Sequence, residues 1–150
     1  MGDGVLVLGV GNILMGDEGV GVAVVERLAE RPLPAGFTTL DGGTGSLSLL
    51  EPMLEAERIV LIDATSDGRP VGTLARLRPK FSKDYPRRIT AHDIGLKDLL
   101  DAFYLLGKEP DVTLYTISIE FPQEVGVGLS EPLCAALPGI VSEIHEGLAS

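Results

Sequence analysis

Glu18, Asp41, Asp63 and His92 are the residues of this chain whose types and positions point to chemistry. Carboxylate oxygens and a neutral imidazole nitrogen suit borderline divalent ions such as nickel or zinc, and three such ligands leave positions on the ion open. A carboxylate can also serve as a general base. Each acid follows an apolar run. Glu18 comes after residues 5–9 (V-L-V-L-G), Asp41 closes residues 37–40, and Asp63 closes residues 58–62. His92 stands just ahead of a helical pattern and could reach the same rim. Each also has an ordinary reading. Glu18 gains from the dipole of the helix it opens, and its neighbour Asp17 reads as an N-cap. His92 reads equally well as a helix-flanking histidine bonded to backbone. The dipole does not explain why glycines (Gly11, Gly16, Gly19, Gly21) surround the acidic pair. Their placement implies that something approaches the backbone closely there.

The elements that must hold these residues follow from periodicity. Residues 5–9 read as a strand buried on both faces. A glycine-rich turn follows, and then a helix with Val20, Val24 and Leu28 on one face. After Arg31-Pro32-Leu33-Pro34 a second strand covers about 37–40 and ends in the turn Asp41-Gly42-Gly43-Thr44-Gly45. Leu47, Leu50 and Leu54 mark one side of the next helix, in which Pro52 predicts a kink or split. Residues 58–63 form a third strand ending in Asp63. Residues 72–78 alternate apolar and polar side chains, as a half-exposed edge strand does. Residues 76–88 carry six of the twelve basic residues (Arg76, Arg78, Lys80, Lys83, Arg87, Arg88) against Asp84 alone, and read as a strand end running into a mobile loop. Thr90-Ala91-His92-Asp93 leads to a helix with Leu96, Leu99, Leu100, Phe103 and Leu106 on one face, closed by Gly107. Residues 112–119 are a strand. Ser130 caps a last helix with Pro132 in its first turn, interrupted at Pro138, with Ile140, Val141, Ile144 and Leu148 as the core face of its second half. Strands alternating with helices predict one α/β domain over residues 1–150. Its architecture is three-layered and doubly wound, a mostly parallel sheet with helices on both faces. In such sheets ligands bind beyond the carboxyl ends of the strands, where the strand order reverses.

Composition bounds the partners. The chain has 150 residues with 45% hydrophobic content, enough for a sizeable core. A net charge of −10 disfavours phosphate backbones, so no nucleic acid is expected. No apolar run approaches a bilayer span and the first residues lack a signal-peptide pattern, so no membrane is expected. One cysteine, Cys134, excludes an internal disulfide and fits a reducing cytoplasm. It reads as a small core residue of the last helix, and His145 as a solvated surface histidine. Gly9-Val10-Gly11 invites a dinucleotide site, but Leu14 stands where the fingerprint needs glycine, and only Asp41 as a ribose acid keeps that reading alive. A Walker A lysine, an H-E-x-x-H helix and a G-x-S-x-G elbow are all missing; residues 45–49 (G-S-L-S-L) do not supply the last.

Residues 5–21 as a whole, V-L-V-L-G-V-G-N-I-L-M-G-D-E-G-V-G, resemble the signature of the endopeptidases that mature nickel–iron hydrogenases. The likeness continues through Asp41-Gly42-Gly43-Thr44, Ile62-Asp63-Ala64, His92 followed by Ile94-Gly95-Leu96, and Gly128-Leu129-Ser130. It spans essentially the whole chain. The resemblance implies an aspartyl-type endopeptidase that cuts a C-terminal extension from the hydrogenase large-subunit precursor after nickel insertion, and so activates another enzyme. It implies metal contact by Glu18, Asp63 and His92, with nickel delivered on the substrate, and it matches Asp41 to an acid important for activity or recognition. Glu18, Asp41 and Asp63 are then the catalytic candidates. The chain departs from the pattern in the basic loop, residues 80–88, and at Glu131-Pro132, which bears on partner choice. The expected partner is the precursor, the expected state a monomer, the expected compartment the cytoplasm. A non-catalytic nickel-dependent accessory protein and a nucleotide-binding module are the alternatives.

Overall fold

The structure, a computed structural model, describes residues 4–44, 47–80, 82–92 and 95–149, without the side chains of Ser82 and His92. Met1 to Asp3, Gly45, Ser46, Phe81, Asp93, Ile94 and Ser150 lie outside the described residues. Five strands form one sheet: β1 (Val5–Val10), β2 (Phe37–Gly43), β3 (Arg58–Thr65), β4 (Leu74–Leu77) and β5 (Val112–Ser118). Their order is β2-β1-β3-β5-β4, parallel throughout except for β4, which runs antiparallel along the edge of β5. The α/β, mostly parallel, doubly wound class expected from the alternation of elements is therefore the one observed.

Alternation along the strands divides the core into two layers. Val7, Val60, Ile62, Ala64 and Ile117 face α1 (Val20–Ala29) and α4 (Glu131–Leu148). Leu6, Leu8, Ile59, Leu61 and Leu114 face α2 (Leu50–Glu55) and α3 (Leu96–Leu105). Val20, Val24 and Leu28 are all fully buried, as their spacing predicts, and each such side chain contributes about 1.5–3 kcal/mol relative to exposure. Strand order reverses between β1, which leads to β2 on one side, and β3 on the other. The crevice at the carboxyl ends of these two strands is where such a sheet binds ligands.

The glycines around the acidic pair are needed by the chain itself. A Cβ on Gly21 would run into the carbonyls of Val10 and Ile62, and one on Gly9 into the carbonyl of Gly21. The first turn of α1 thus lies directly on the backbones of β1 and β3. The close approach expected from sequence is real, but the approaching group is protein backbone.

Several boundaries differ from expectation for local reasons. β2 continues through Asp41 and Gly42 to Gly43, with Gly9 opposite Asp41 and a bulge before Val10. β3 continues through Asp63 to Thr65 because Asp63, Ala64 and Thr65 pair with Thr116, Ile117 and Ser118. Pro52 neither kinks nor splits its helix: a 3-10 turn, Leu47–Leu49, precedes α2 and leaves Pro52 in the first α turn. Leu49 and Met53 make the buried face there while Leu47 is exposed, and Leu106 is likewise exposed past the end of α3. Pro138 does not interrupt α4, which is one helix with Pro138 on its exposed side. Cys134 is exposed, its thiol 3.5 Å from the Leu129 carbonyl, because the core face of that turn is taken by Leu133 and Leu137. His145 is bonded through Nε2 to the Pro32 carbonyl at 2.7 Å. The basic segment is anchored by buried Pro79 and Tyr85, with a 3-10 turn at Ser82–Asp84 between them.

Candidate active site

Two short 3-10 turns meet at the carboxyl end of β3. One, Gly16–Gly19, follows β1 and carries Glu18; the other, Thr90–His92, precedes α3 and carries His92. Both pack against β3, which carries Asp63. The first turn is set by Gly16, whose φ of 55° suits glycine and whose missing side chain leaves room for Gln123. Gln123 Oε1 accepts the Asp17 N–H at 3.0 Å, and its Nε2 donates to the Glu120 carbonyl at 2.7 Å.

Asp17 and Glu18 have different surroundings. Asp17 is buried, and Ser130 at the start of α4 donates its backbone N–H to Oδ1 and its hydroxyl to Oδ2, both at 2.7 Å. Asp17 therefore does not cap its own helix; it clamps the turn after β1 to the last helix. Ser130, at the N-cap position, makes no side-chain cap bond to α4 because its hydroxyl goes to Asp17. Glu18 is half-buried and lines a cleft of about 260 Å³ with Ser66, Arg88, Thr90, Ile119 and Phe121.

Asp63 is fully buried, pointing to the α3 side of the sheet by strand alternation. Its Oδ1 accepts the Ala64 N–H at 2.8 Å and its Oδ2 the Ala91 N–H at 2.6 Å. The second bond crosses to the turn that carries His92 and fixes its backbone beside β3. Asp41 lies elsewhere. The pairing runs Asp41, Gly9, Ile62 across three strands, so Asp41 stands about 10 Å from the third strand and on the face opposite Asp63. It is exposed, its Oδ1 accepts the Gly43 N–H at 2.9 Å, and it does not line the cleft. The fold thus gathers Glu18, Asp63 and the backbone of His92 and leaves Asp41 apart. Among the described residues, which exclude the His92 side chain, no group of three metal-binding side chains is assembled.

The cleft also contains residues the motif reading passed over. Phe121, three residues past the end of β5, is 70% exposed beside Glu18, and an aromatic residue in the loop after a strand is a signal visible in sequence. Ser66 and Thr90 carry no such signal. A dinucleotide finds no cradle here, since the Cβ positions of Gly9, Gly11 and Gly21 are occupied by the carbonyls of Gly21, Glu18 and Val10.

Comparison with known proteins agrees with this arrangement. The family described as hydrogenase maturation protease (HycI) matches residues 22–146, a span that contains Asp41, Asp63 and His92 and begins after Glu18. The hydrogenase 2 maturation protease of Escherichia coli (strain K12) is 34% identical over 147 residues, covering 96% of this chain and 90% of that protein. The hydrogenase expression/formation protein HupD of Rhodobacter capsulatus is 42% identical over 71% of this chain, and the match spans about half (52%) of that relative. Among solved structures, the hydrogenase maturating endopeptidase HybD from Escherichia coli superposes with a TM-score of 0.84 at 33% identity, over 97% of this chain and 92% of that one. The NiFe hydrogenase maturation protease HybD from Thermococcus kodakarensis gives a TM-score of 0.76 at 28% identity, over 98% and 99%. The chain belongs to the hydrogenase maturation protease family, a family of peptide-bond hydrolases.

Proposed function

We propose that the protein is the endopeptidase that removes the C-terminal extension of a nickel–iron hydrogenase large-subunit precursor once nickel is in place, reading the metal through Glu18, Asp63 and His92. The observation that carries this reading is the convergence of two turns, bearing Glu18 and His92, on the strand that bears Asp63. Nickel enters as part of the substrate, so cleavage is conditional on a loaded precursor. Glu18 lines the open cleft and is the ligand an incoming ion meets first. Asp63 is closed to solvent, and its bond to Ala91 makes it the residue that holds the His92 turn in register. Its direct contact with the ion follows a shift of that turn.

The ion then polarises the scissile carbonyl or activates a water, and carboxylates take the place of a serine, cysteine or resident zinc. Asp41 is too far from Asp63 for proton transfer at a shared water, which needs hydrogen-bond reach. This favours a part in recognising the precursor. The described residues contain no helix long and apolar enough to cross a membrane, and we take the cytoplasm as the compartment of processing.

The test compares nickel-loaded and metal-free precursor, each incubated with the protein, with and without added nickel. Shortening of the loaded precursor alone is the expected result. Equal cutting of both by chelator-treated protein refutes metal sensing. Binding without shortening leaves an accessory role.

A further inference from the structure

Beyond the cleft that holds Glu18 lies a wider groove of about 580 Å³, formed by the loop after β3 and the residues after β5. Ser66, Arg88, Ile119 and Phe121 line both cavities, so the two are continuous across these four residues. Ile119 is buried, Ser66 half-buried, and Arg88 and Phe121 are exposed. A peptide that runs from the groove to Glu18 passes over all four.

At this junction Arg88 is the charged group without a protein partner. Among the described residues its side chain forms no ion pair or hydrogen bond. The other arginine of the groove, Arg69, stands 3.7 Å from Asp67, which also accepts the Ser118 hydroxyl at 2.8 Å. The Arg88 backbone is nevertheless fixed. The Ser66 N–H donates to the Arg88 carbonyl at 3.2 Å, and the next residue, Ile89, is buried and bridges Thr65. A guanidinium carried on an anchored backbone gives up less freedom on binding than one on a free loop. The walls decide what it takes. Glu18 borders the cleft and Glu120 the groove, so a carboxylate brought to Arg88 meets negative charge in both directions. A main-chain carbonyl is neutral, and a guanidinium offers five N–H donors in a planar fork to such acceptors.

We propose that Arg88 is a substrate-binding residue whose guanidinium donates to main-chain carbonyls of the precursor where the peptide crosses from the groove into the cleft, with Ile119 and Phe121 taking an apolar side chain. This rests on the reading that the substrate is the precursor polypeptide. Main-chain carbonyls are common to all peptides, so the grip aligns the segment to be cut whatever its sequence. The metal then decides whether cutting follows.

Cleavage of nickel-loaded precursor is measured at about 0.5 M salt, which screens long-range attraction and leaves contacts. Arg88→Ala should raise KM about tenfold or more, as expected for losing hydrogen bonds from a charged donor, with kcat and melting temperature unchanged. Arg88→Lys should still show KM raised several-fold, because a point charge lacks the fork. Lys80→Ala makes the same loss of charge in the same segment but outside both cavities, and should leave KM unchanged. Unchanged KM in Arg88→Ala overturns the proposal. Full recovery in Arg88→Lys, or an equal rise in Lys80→Ala, also overturns it by reducing Arg88 to general charge. A fall in kcat at constant KM overturns it by moving Arg88 to the reaction step. If the alanine variant does not fold, the lysine variant decides. Failure of the unsubstituted protein to cut loaded precursor counts against the protease reading instead.

Discussion

Asp17 and Glu18 are neighbours in sequence, yet Asp17→Ala should act on stability. The Asp17 carboxylate is 3% exposed and holds both the N–H and the hydroxyl of Ser130 at 2.7 Å. Alanine removes both acceptors and leaves two donors at the start of α4 without partners. A hydrogen bond to a charged acceptor contributes about 1.5–3 kcal/mol, and water reaching the exposed Ser130 recovers part of the hydroxyl's share, so the net loss should be about 3 kcal/mol. In a chain of this size each kcal/mol moves the melting temperature by roughly 2–4 °C, which places the expected drop at roughly 6–12 °C. Urea unfolding of Asp17→Ala, Ser130→Ala and the double variant gives the coupling directly, expected at about 1–2 kcal/mol because alanine at 130 keeps the backbone N–H. A loss below about 1 kcal/mol in Asp17→Ala, or additive single effects, would refute the clamp.

Glu18→Gln should do the reverse, abolishing processing of loaded precursor with an unchanged melting curve; a large fall in melting temperature would make Glu18 structural. Reversing Lys83, Arg87 and Arg88 to glutamate should slow association with the precursor at low salt, since charge on a docking face acts chiefly on the on-rate, and an unaltered rate and salt dependence would reduce the segment to a connection. Processing should also weaken below about pH 6.5, where protons compete with the ion for an ordinary histidine such as the proposed ligand His92; a flat profile across that range would remove histidine from the metal contact. Burial, reinforced by Asp84, raises the Tyr85 phenol above its usual value of 10.0. Between the unfolded and folded values the native state retains a proton the unfolded chain has lost, so stability is full below about pH 10 and falls above it. Tyr85→Phe should flatten that fall in urea unfolding series, and parallel curves for the two proteins would contradict it.

Much of this was legible because short-range patterns decide it. Apolar runs announce buried strands, and the Val20, Val24, Leu28 spacing announces the α1 face. Alternation in residues 72–78 announces the edge, observed at Leu74–Leu77. What escaped was decided at long range. Gly42 and Gly43 read as a turn, but pairing with β1 keeps them in β2. Asp63 reads as the end of its strand, but pairing with Thr116 keeps it inside, where it serves the His92 turn. Nothing near Asp17 signals Ser130, 113 residues away. Basic neighbours hide Tyr85, whose ring belongs to the core beneath α3. Of the candidate site, the order of elements that places Glu18 between β1 and α1 and His92 ahead of α3 was readable. The separation of Asp41 needed the register.

The clamp and the Asp63 latch also govern when the site comes into being. The partners in these bonds are 28 and 113 residues apart, so neither can form from a local hairpin or helix. Closing such loops costs entropy that only the assembled sheet and helices offset. Because Ser130 opens α4, whose Leu133 and Leu137 sit in the main core, releasing the Glu18 turn means disturbing that core as well. The site therefore depends on the assembled sheet and α4, and heat or denaturant should extinguish activity in the same transition that melts the sheet.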